Sequence, residues 1–252
     1  MRADQLLVER GLAATRSQAQ RLIAAGLRWH DGTAWRDVAK NGEDVPQGAQ
    51  LQLQDDAETR YVSRGGLKLA GALDAAGVAP AGWRCLDVGQ STGGFTDCLL
   101  QRGATQVVGV DVGHGQLHER LRGDPRVACL EKVNARELDD ATLAAAKVTA
   151  DFDLVVGDLS FISLTLVLPS LAPLLRTGGV LLMLVKPQFE LQPAQLGKGG
   201  IVRDETLYPQ VERRIRDACT TAGLRVQSWF DSPIRGGDGN REFFVLARKE
   251  PR

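Results

Sequence analysis

Between Trp83 and Asp97 the chain reads Trp-Arg-Cys-Leu-Asp-Val-Gly-Gln-Ser-Thr-Gly-Gly-Phe-Thr-Asp. Leu86 and Val88 close an apolar run of buried-strand type, Gly89, Gly93 and Gly94 follow, and an apolar helix opens at Phe95. A strand, a glycine turn and a helix form a ligand-binding corner in open α/β sheets, because a backbone without Cβ atoms lets a ligand come close. A second strand, Gln106 to Val110, leads to Asp111. An acid about 20 residues past the glycines can grip a ribose 2′-OH. The spacing departs from the dinucleotide pattern Gly-x-Gly-x-x-Gly, since Ser91 stands at the second glycine. A close approach to pyrophosphate is then not required. S-adenosylmethionine fits, having a ribose and an amino acid but no phosphate. The same glycines also suit an ordinary strand-to-helix turn.

From Trp83 onward the pattern alternates. Strands are expected at 83–88, 106–111, 126–130, 153–157, 179–186, 224–231 and 241–248. Helices are expected at 94–103, 115–122, 138–147, 161–176 and 204–222, after a first one at 63–77 that carries Lys68. This predicts a doubly wound α/β domain. Its end reads as a hairpin rather than another crossover, and a terminal antiparallel strand is a property of class I S-adenosylmethionine-dependent methyltransferases.

The 252 residues allow one large or two modest domains, and 43% apolar residues supply a core. Charge is zero overall but unevenly placed. Residues 1–30 carry five arginines against Asp4 and Glu9, whereas residues 31–60 carry three bases against seven acids. The first helical segments are thus basic within a neutral chain, and the stretch after them is acidic. The four cysteines are widely spaced without a Cys-x-x-Cys pair, and Cys85 and Cys129 read as small core residues in strands. No signal peptide is evident, so a cytoplasmic location is expected. The longest uncharged run, Leu159 to Leu175, contains serines and prolines and reads as a core helix rather than a membrane span.

Residues 1–55 read as a separate small α+β domain, 56–62 as a linker and 63–252 as the catalytic domain. Helices are expected from Ala3 to Arg10 and from a Thr15–Gln18 capping box to Ala25, ended by Gly26, with short strands near 27–29, 38 and 51–53. Arg2-x-Asp4-x-Leu6-Leu7, and Arg16-Ser17-x-Ala19 running to Ile23-x-x-Gly26, resemble the S-four RNA-binding domain. That likeness implies that Arg2, Arg16 and Arg21 meet RNA phosphates, acting by charge and counterion release. A solvated helix face is the alternative.

Ligands in such sheets sit beyond the carboxyl ends of the strands. Asp87, Asp111, Asn134, Asp158 and Lys186 fall there, and Glu242 opens the last strand. Asp158 has no Pro-Pro-Tyr-like sequence after it, as amine methylation would favour, and no Cys–Pro pairing suits base-carbon methylation. Lys68, Asp158, Lys186 and Glu242 together suit transfer to a hydroxyl, with Lys186 deprotonating or steering it and no metal required. Each residue alone reads equally as a surface ion pair.

The stretches Tyr61-Val62-Ser63-Arg64-Gly65-Gly66-Leu67-Lys68, Asp87-Val88-Gly89-x-Ser91-Thr92-Gly93-Gly94-Phe95, Val110-Asp111-Val112-Gly113-His114-Gly115-Gln116-Leu117, Lys186-Pro187-Gln188-Phe189-Glu190 and Gly239-Asn240-Arg241-Glu242 resemble the TlyA family, also called haemolysin A-like and related to FtsJ ribose methyltransferases. The likeness covers nearly the whole chain. It implies 2′-O-methylation of cytidine in ribosomal RNA with S-adenosylmethionine, and Lys68, Asp158, Lys186 and Glu242 as the catalytic tetrad. It implies cofactor contacts from Asp87, Gly89, Ser91, Gly93, Gly94, Phe95, Asp111, Asn134 and Asp158. Arg64 and Lys198 are expected to add RNA contacts, the alternative for the stretch around Lys198 being a disordered connector. Lys198 lies in a glycine-rich stretch, Gln195 to Arg203, expected to be a mobile loop that closes over RNA. Gln90 departs from the family's usual Ala and is expected to contact or crowd the methionine moiety. The linker reads Thr59-Arg60-Tyr61-Val62 where the family has Arg-x-Trp-Val. Competing readings are a non-catalytic RNA-binding or ribosome-assembly factor and a membrane-lytic haemolysin.

Overall fold

The structure is a computed structural model that describes residues 1–13, 15–53, 60–237 and 239–251. Residues 56–59 of the expected linker lie outside the described residues. The chain forms two compact units, Met1–Arg64 and Gly65–Arg252.

In the first unit α1 (Ala3–Glu9) and α2 (Arg16–Gly26) pack on a sheet of β1 (Leu27–His30), β2 (Trp35–Asp37) and β3 (Gln50–Leu53), in the antiparallel order β2-β1-β3. Thr15 caps α2 by accepting from the Gln18 N–H at 3.2 Å. Gly26, at φ 116°, turns the chain out of α2 into β1. Leu6, Leu7, Ala19, Leu22 and Ile23 form the helical side of the core, and Leu27, Val38 and Val45 close it from the other side.

The second unit opens with α3 (Gly65–Ala76). It continues as β4 (Arg84–Val88), α4 (Gly94–Gln101), β5 (Gln106–Asp111), α5 (Glu119–Arg122), β6 (Val127–Glu131), α6 (Asp140–Ala145) and β7 (Phe152–Gly157). Then come α7 (Leu168–Leu174), β8 (Leu175–Val185), α8 (Pro187–Glu190), α9 (Tyr208–Thr221), β9 (Leu224–Asp231) and β10 (Phe243–Lys249). The sheet order is β6-β5-β4-β7-β8-β10-β9. The first five strands are parallel, and β10 inserts antiparallel between β8 and β9. The strand order reverses beside β4, which opens a crevice at the carboxyl ends. Phe152, Val155, Leu181 and Met183 belong to a core covered by α7 and by the Tyr208, Val211, Ile215 and Cys219 stripe of α9. Each such fully buried apolar side chain contributes roughly 1.5–3 kcal/mol.

Two expectations change. The helix expected at 161–176 is a 3₁₀ turn, Leu164–Leu166, followed by α7, because Pro169 fits only a first turn and Pro173 removes a backbone donor near the end. The chain enters β8 at Leu175, and its pairing with β7 shifts register past Phe152, near Gly178 and Gly179. Cys129 is exposed on the edge strand β6, whereas Cys85 is buried on the central β4.

Candidate active site

The glycine corner is built by close approach. Gly89 has φ 81°, and a Cβ there would lie 2.7 Å from the Asp158 carbonyl oxygen. The Asp158 N–H in turn donates to the Val88 carbonyl at 3.1 Å, so the ends of β4 and β7 are stitched together. Asp111, at the end of β5, accepts from the Ser91 and Gly113 N–H groups, each at 2.7 Å. A cavity of about 390 Å³ opens over this corner, lined by Gly89, Ser91, Asp111, Gln116, Asp158 and Phe161 together with Val110, Val112 and Val133. Beneath it Asp87 is 1% exposed. Burial first, then the neighbouring Asp158 and Asp111 charges, pushes its carboxyl up to about 7, against the opposing Thr96 hydrogen bonds. Its Oδ2 accepts from the Thr96 hydroxyl at 2.7 Å, while Oδ1 has no hydrogen-bond partner among the described residues. A buried carboxylate oxygen without a donor suits an ammonium group, and Asp111 suits a ribose. The corner therefore fits an amino-acid nucleoside such as S-adenosylmethionine.

The four charged residues converge. Lys68, on α3, is 7% exposed, and its Nζ donates to Glu242 Oε2 at 2.6 Å. Asp158 joins the two lysines: its Oδ2 lies 3.8 Å from Lys68 Nζ and its Oδ1 2.5 Å from Lys186 Nζ. Lys186 also donates to the Ser160 hydroxyl at 2.9 Å. Glu242 is 3% exposed, and burial raises its carboxyl while Lys68 opposes the rise. The cluster borders a second cavity, of about 370 Å³, lined by Lys68, Lys186, Glu242, Gln188, Phe189 and the glycines at 199, 200 and 237. Ser160 and Phe161 line both cavities. The four residues thus stand where the two cavities meet.

Other expected residues go elsewhere. Gly93, at φ 93°, is needed because a Cβ would strike Leu121 and Leu117. Gly94 begins α4, and Phe95 is buried in a stack on Phe244. The exposed Asn134 accepts from the Arg136 N–H as a cap, while its neighbours Val133 and Ala135 line the cofactor cavity. Gln90 does not line that cavity. It is buried, donates to the Thr96 hydroxyl at 2.9 Å and fills the space that the missing Cβ of Gly109 leaves on β5. The expected contact with the methionine moiety is replaced by this inward fold. The stretch from Gln195 to Arg203 is tied down: Asn240 accepts from the Val202 N–H at 2.9 Å and donates to the Gly200 carbonyl at 3.1 Å. Lys198 is exposed on that turn. In the first unit Asp4 is fully buried and binds Arg2 through two bonds of 3.0 Å and Arg16 through one of 2.9 Å. Arg2, then Arg16 and Gln20, hold its carboxyl well below the usual range against the cost of burial. Arg21 and Arg64 are half-buried.

Sequence reasoning missed Ser160, Phe161 and Glu190. Phe161 is 91% exposed and has φ 64°, a strained backbone for a bulky residue. Ser160 and Phe161 lie in an uncharged run that carries no sign of their exposure.

An open sheet of this order, with a nucleoside-sized cavity at its switch point, defines a Rossmann-like methyltransferase. Residues 61–249 match the FtsJ-like methyltransferase family, and residues 1–27 match the S4 domain. The chain belongs to the FtsJ-like methyltransferases, in their TlyA branch. It is 44% identical over 249 residues to the 16S/23S rRNA (cytidine-2′-O)-methyltransferase TlyA of Mycobacterium tuberculosis, covering 99% of this chain and 90% of that one. It is 32% identical to the 23S rRNA (cytidine-2′-O)-methyltransferase TlyA of Campylobacter jejuni, over 81% of this chain and 77% of that one. Among solved structures, a protein of Streptococcus thermophilus described as a hemolysin superposes with a TM-score of 0.75 at 39% identity, covering 99% of this chain and 88% of that one.

Proposed function

We infer that this chain methylates the 2′-hydroxyl of cytidine in ribosomal RNA, using S-adenosylmethionine. The observation that carries the reading is the Lys68–Glu242 and Lys186–Asp158 pairing at the junction of the two cavities. When bound, S-adenosylmethionine supplies a methyl group activated by its sulfonium, and it needs no metal. Asp111 would hold the ribose and Asp87 the ammonium group, with the Gly89–Ser91 turn beside them. Phe161, exposed between the clefts, gives the target base a face to stack on.

The acceptor hydroxyl is a poor nucleophile, so its proton has to leave as the methyl arrives. Lys186 Nζ takes that proton in its neutral amine form, having first released its own proton to solvent. Asp158 and Ser160 aim Nζ, and the Lys68–Glu242 pair fixes Asp158 from behind. A catalytic group held by two neighbours in a partly dry site loses little to reorganisation.

RNA is gathered by the first unit through Arg2, Arg16 and Arg21, with Arg64 and Lys198 adding charge. The boundaries that go with this reading are 1–55 for the RNA-binding domain, 56–62 for the linker and 63–252 for the methyltransferase. A ribosomal substrate places the protein in the cytoplasm. Among the described residues no helix is long and apolar enough to cross a membrane.

Mass-spectrometric mapping of ribosomal RNA, with and without the protein, tests the reading. A 2′-O-methylcytidine should appear with the wild type and be absent with Lys186→Ala. If no ribose methylation depends on the protein, the enzymatic reading falls to the non-catalytic RNA-binding alternative.

A further inference from the structure

The loop from Asp158 to Thr165 carries an acid of the tetrad and a strained, exposed aromatic residue, and one short segment of chain holds it on both sides of that residue. On the near side, Lys186 Nζ donates to Ser160 Oγ at 2.9 Å. On the far side, Glu190 Oε2 accepts from the Ser163 hydroxyl at 2.5 Å, and Oε1 accepts from the Leu164 N–H at 2.6 Å. Lys186 and Glu190 are separated only by Pro187, Gln188 and Phe189, with Lys186 at the N-cap of α8 and Glu190 its last residue. Between the two anchors sits Phe161, whose ring lies 5.2 Å from that of Phe189.

Glu190 is itself firmly seated. It is 5% exposed, and Arg214 on α9 donates to its carbonyl at 3.0 Å while lying 3.9 Å from its carboxylate. Burial raises the Glu190 carboxyl, with Ser163, Leu164 and Arg214 opposing the rise. An acid this buried, spending both oxygens on one loop, has a local task. A bulky residue at positive φ persists only when its surroundings over-determine it. Without the far anchor, Phe161 would relax toward an ordinary conformation and its ring would leave the rim of the acceptor cleft.

We propose that Glu190 is a positioning residue for the RNA substrate: its carboxylate clamps Ser163 and Leu164 so that Phe161 is presented to the target base. The proposal rests on the reading of Phe161 as a stacking surface, and it assigns Glu190 no contact with the reacting atoms. A mere structural staple would affect folding or cofactor binding. A clamp acting through Phe161 affects substrate affinity and loses that effect once the ring is gone.

The test is a double-mutant cycle of Glu190→Gln and Phe161→Ala, with steady-state methylation of unmodified ribosomal subunits and calorimetric binding of S-adenosylhomocysteine. Glutamine keeps the volume but cannot accept from both donors without turning its own N–H groups on one of them. Phe161→Ala should raise KM for subunits about ten-fold, the scale of one base stack. Glu190→Gln should raise KM several-fold with kcat changed by less than about three-fold, and should add less than about two-fold in the Phe161→Ala background. Cofactor affinity should stay within about two-fold in Glu190→Gln, which also certifies its folding, while Phe161→Ala, at a residue that lines the cofactor cavity, is certified by an unchanged urea melt. If Phe161→Ala raises KM and Glu190→Gln does not, or if the Glu190→Gln effect persists undiminished without the ring, the clamp is overturned and the stacking reading stands. An unchanged KM in Phe161→Ala overturns the stacking reading and the clamp together.

Discussion

At the scale of single residues, chemistry follows from where charge is buried and what faces it. Lys186 is held on both Asp158 and Ser160, so removing its amine takes away the proton acceptor without opening the cofactor corner. Lys186→Ala should lower kcat by roughly 10²–10⁴ while calorimetric affinity for S-adenosylhomocysteine is unchanged. Asp87 makes a different prediction. Its folded pKa of about 7 lies above the ordinary carboxylate value because burial disfavours the charge. An ammonium bound beside it favours the ionised form, so below that pKa binding has to displace a proton. Affinity for S-adenosylhomocysteine should be flat above pH 7 and fall about ten-fold per unit below it. Asp87→Asn should bind more weakly and lose that slope, and a wild-type titration that is flat down to pH 6 would remove the ammonium from Asp87. Asp158 and Lys186 were legible because strand ends announce themselves by an apolar run closing on a charge, whereas Lys68, on a helix, carries no such sign. Phe161 was not, since an aromatic in an uncharged run gives no sign that it points into solvent.

At the scale of elements, the turn after β4 and the strand β5 beside it are fitted to each other. The Gln90 side chain occupies the volume that a Cβ at position 109 would claim. Gly109→Ala should therefore cost about 1–3 kcal/mol by overpacking, read in urea melts of the ligand-free protein. Gln90→Ala in the same chain should return much of that loss, because the side chain that clashes is gone. Additive losses would mean that the two residues do not share the space. The same pair marks the limit of reading a corner from its glycines. The motif located the turn, but the direction of Gln90 depends on a glycine far along the chain, on the next strand, which pattern alone does not connect to it. Elements fail in a similar way where two periods overlap. The run from Leu159 to Leu175 holds a 3₁₀ turn, a short helix and the start of β8 in succession, with no charge to mark where one gives way to the next. None of the three is long enough within the run for its period to show. The order of the central strands was legible in outline, since right-handed crossovers leave few ways to wind alternating strands and helices.

At the scale of the whole molecule, two compact units divide the labour: one carries a cluster of arginines, the other the two clefts. The charge asymmetry pointed to the first unit, but not to the way Asp4 organises it. A fully buried carboxylate gathers Arg2 and Arg16 and fixes their direction while offsetting part of their charge. Phosphate binding by such a set is electrostatic, so its signature is the dependence of affinity on salt rather than affinity at one condition. Arg16→Gln and Arg21→Gln together remove two positive charges and leave Arg2 on Asp4. If both arginines meet phosphates, the slope of log K against log salt for binding to ribosomal subunits should become shallower by roughly 1.5, at about 0.7–0.9 for each phosphate no longer neutralised. Affinity at low salt should fall correspondingly, while calorimetric affinity for S-adenosylhomocysteine, a property of the second unit, should not change. Filter binding across a salt series reads the slope directly. A slope equal to that of the wild type, in a variant that still binds the cofactor analogue normally, would show that these two guanidinium groups meet no phosphate and that RNA is held elsewhere.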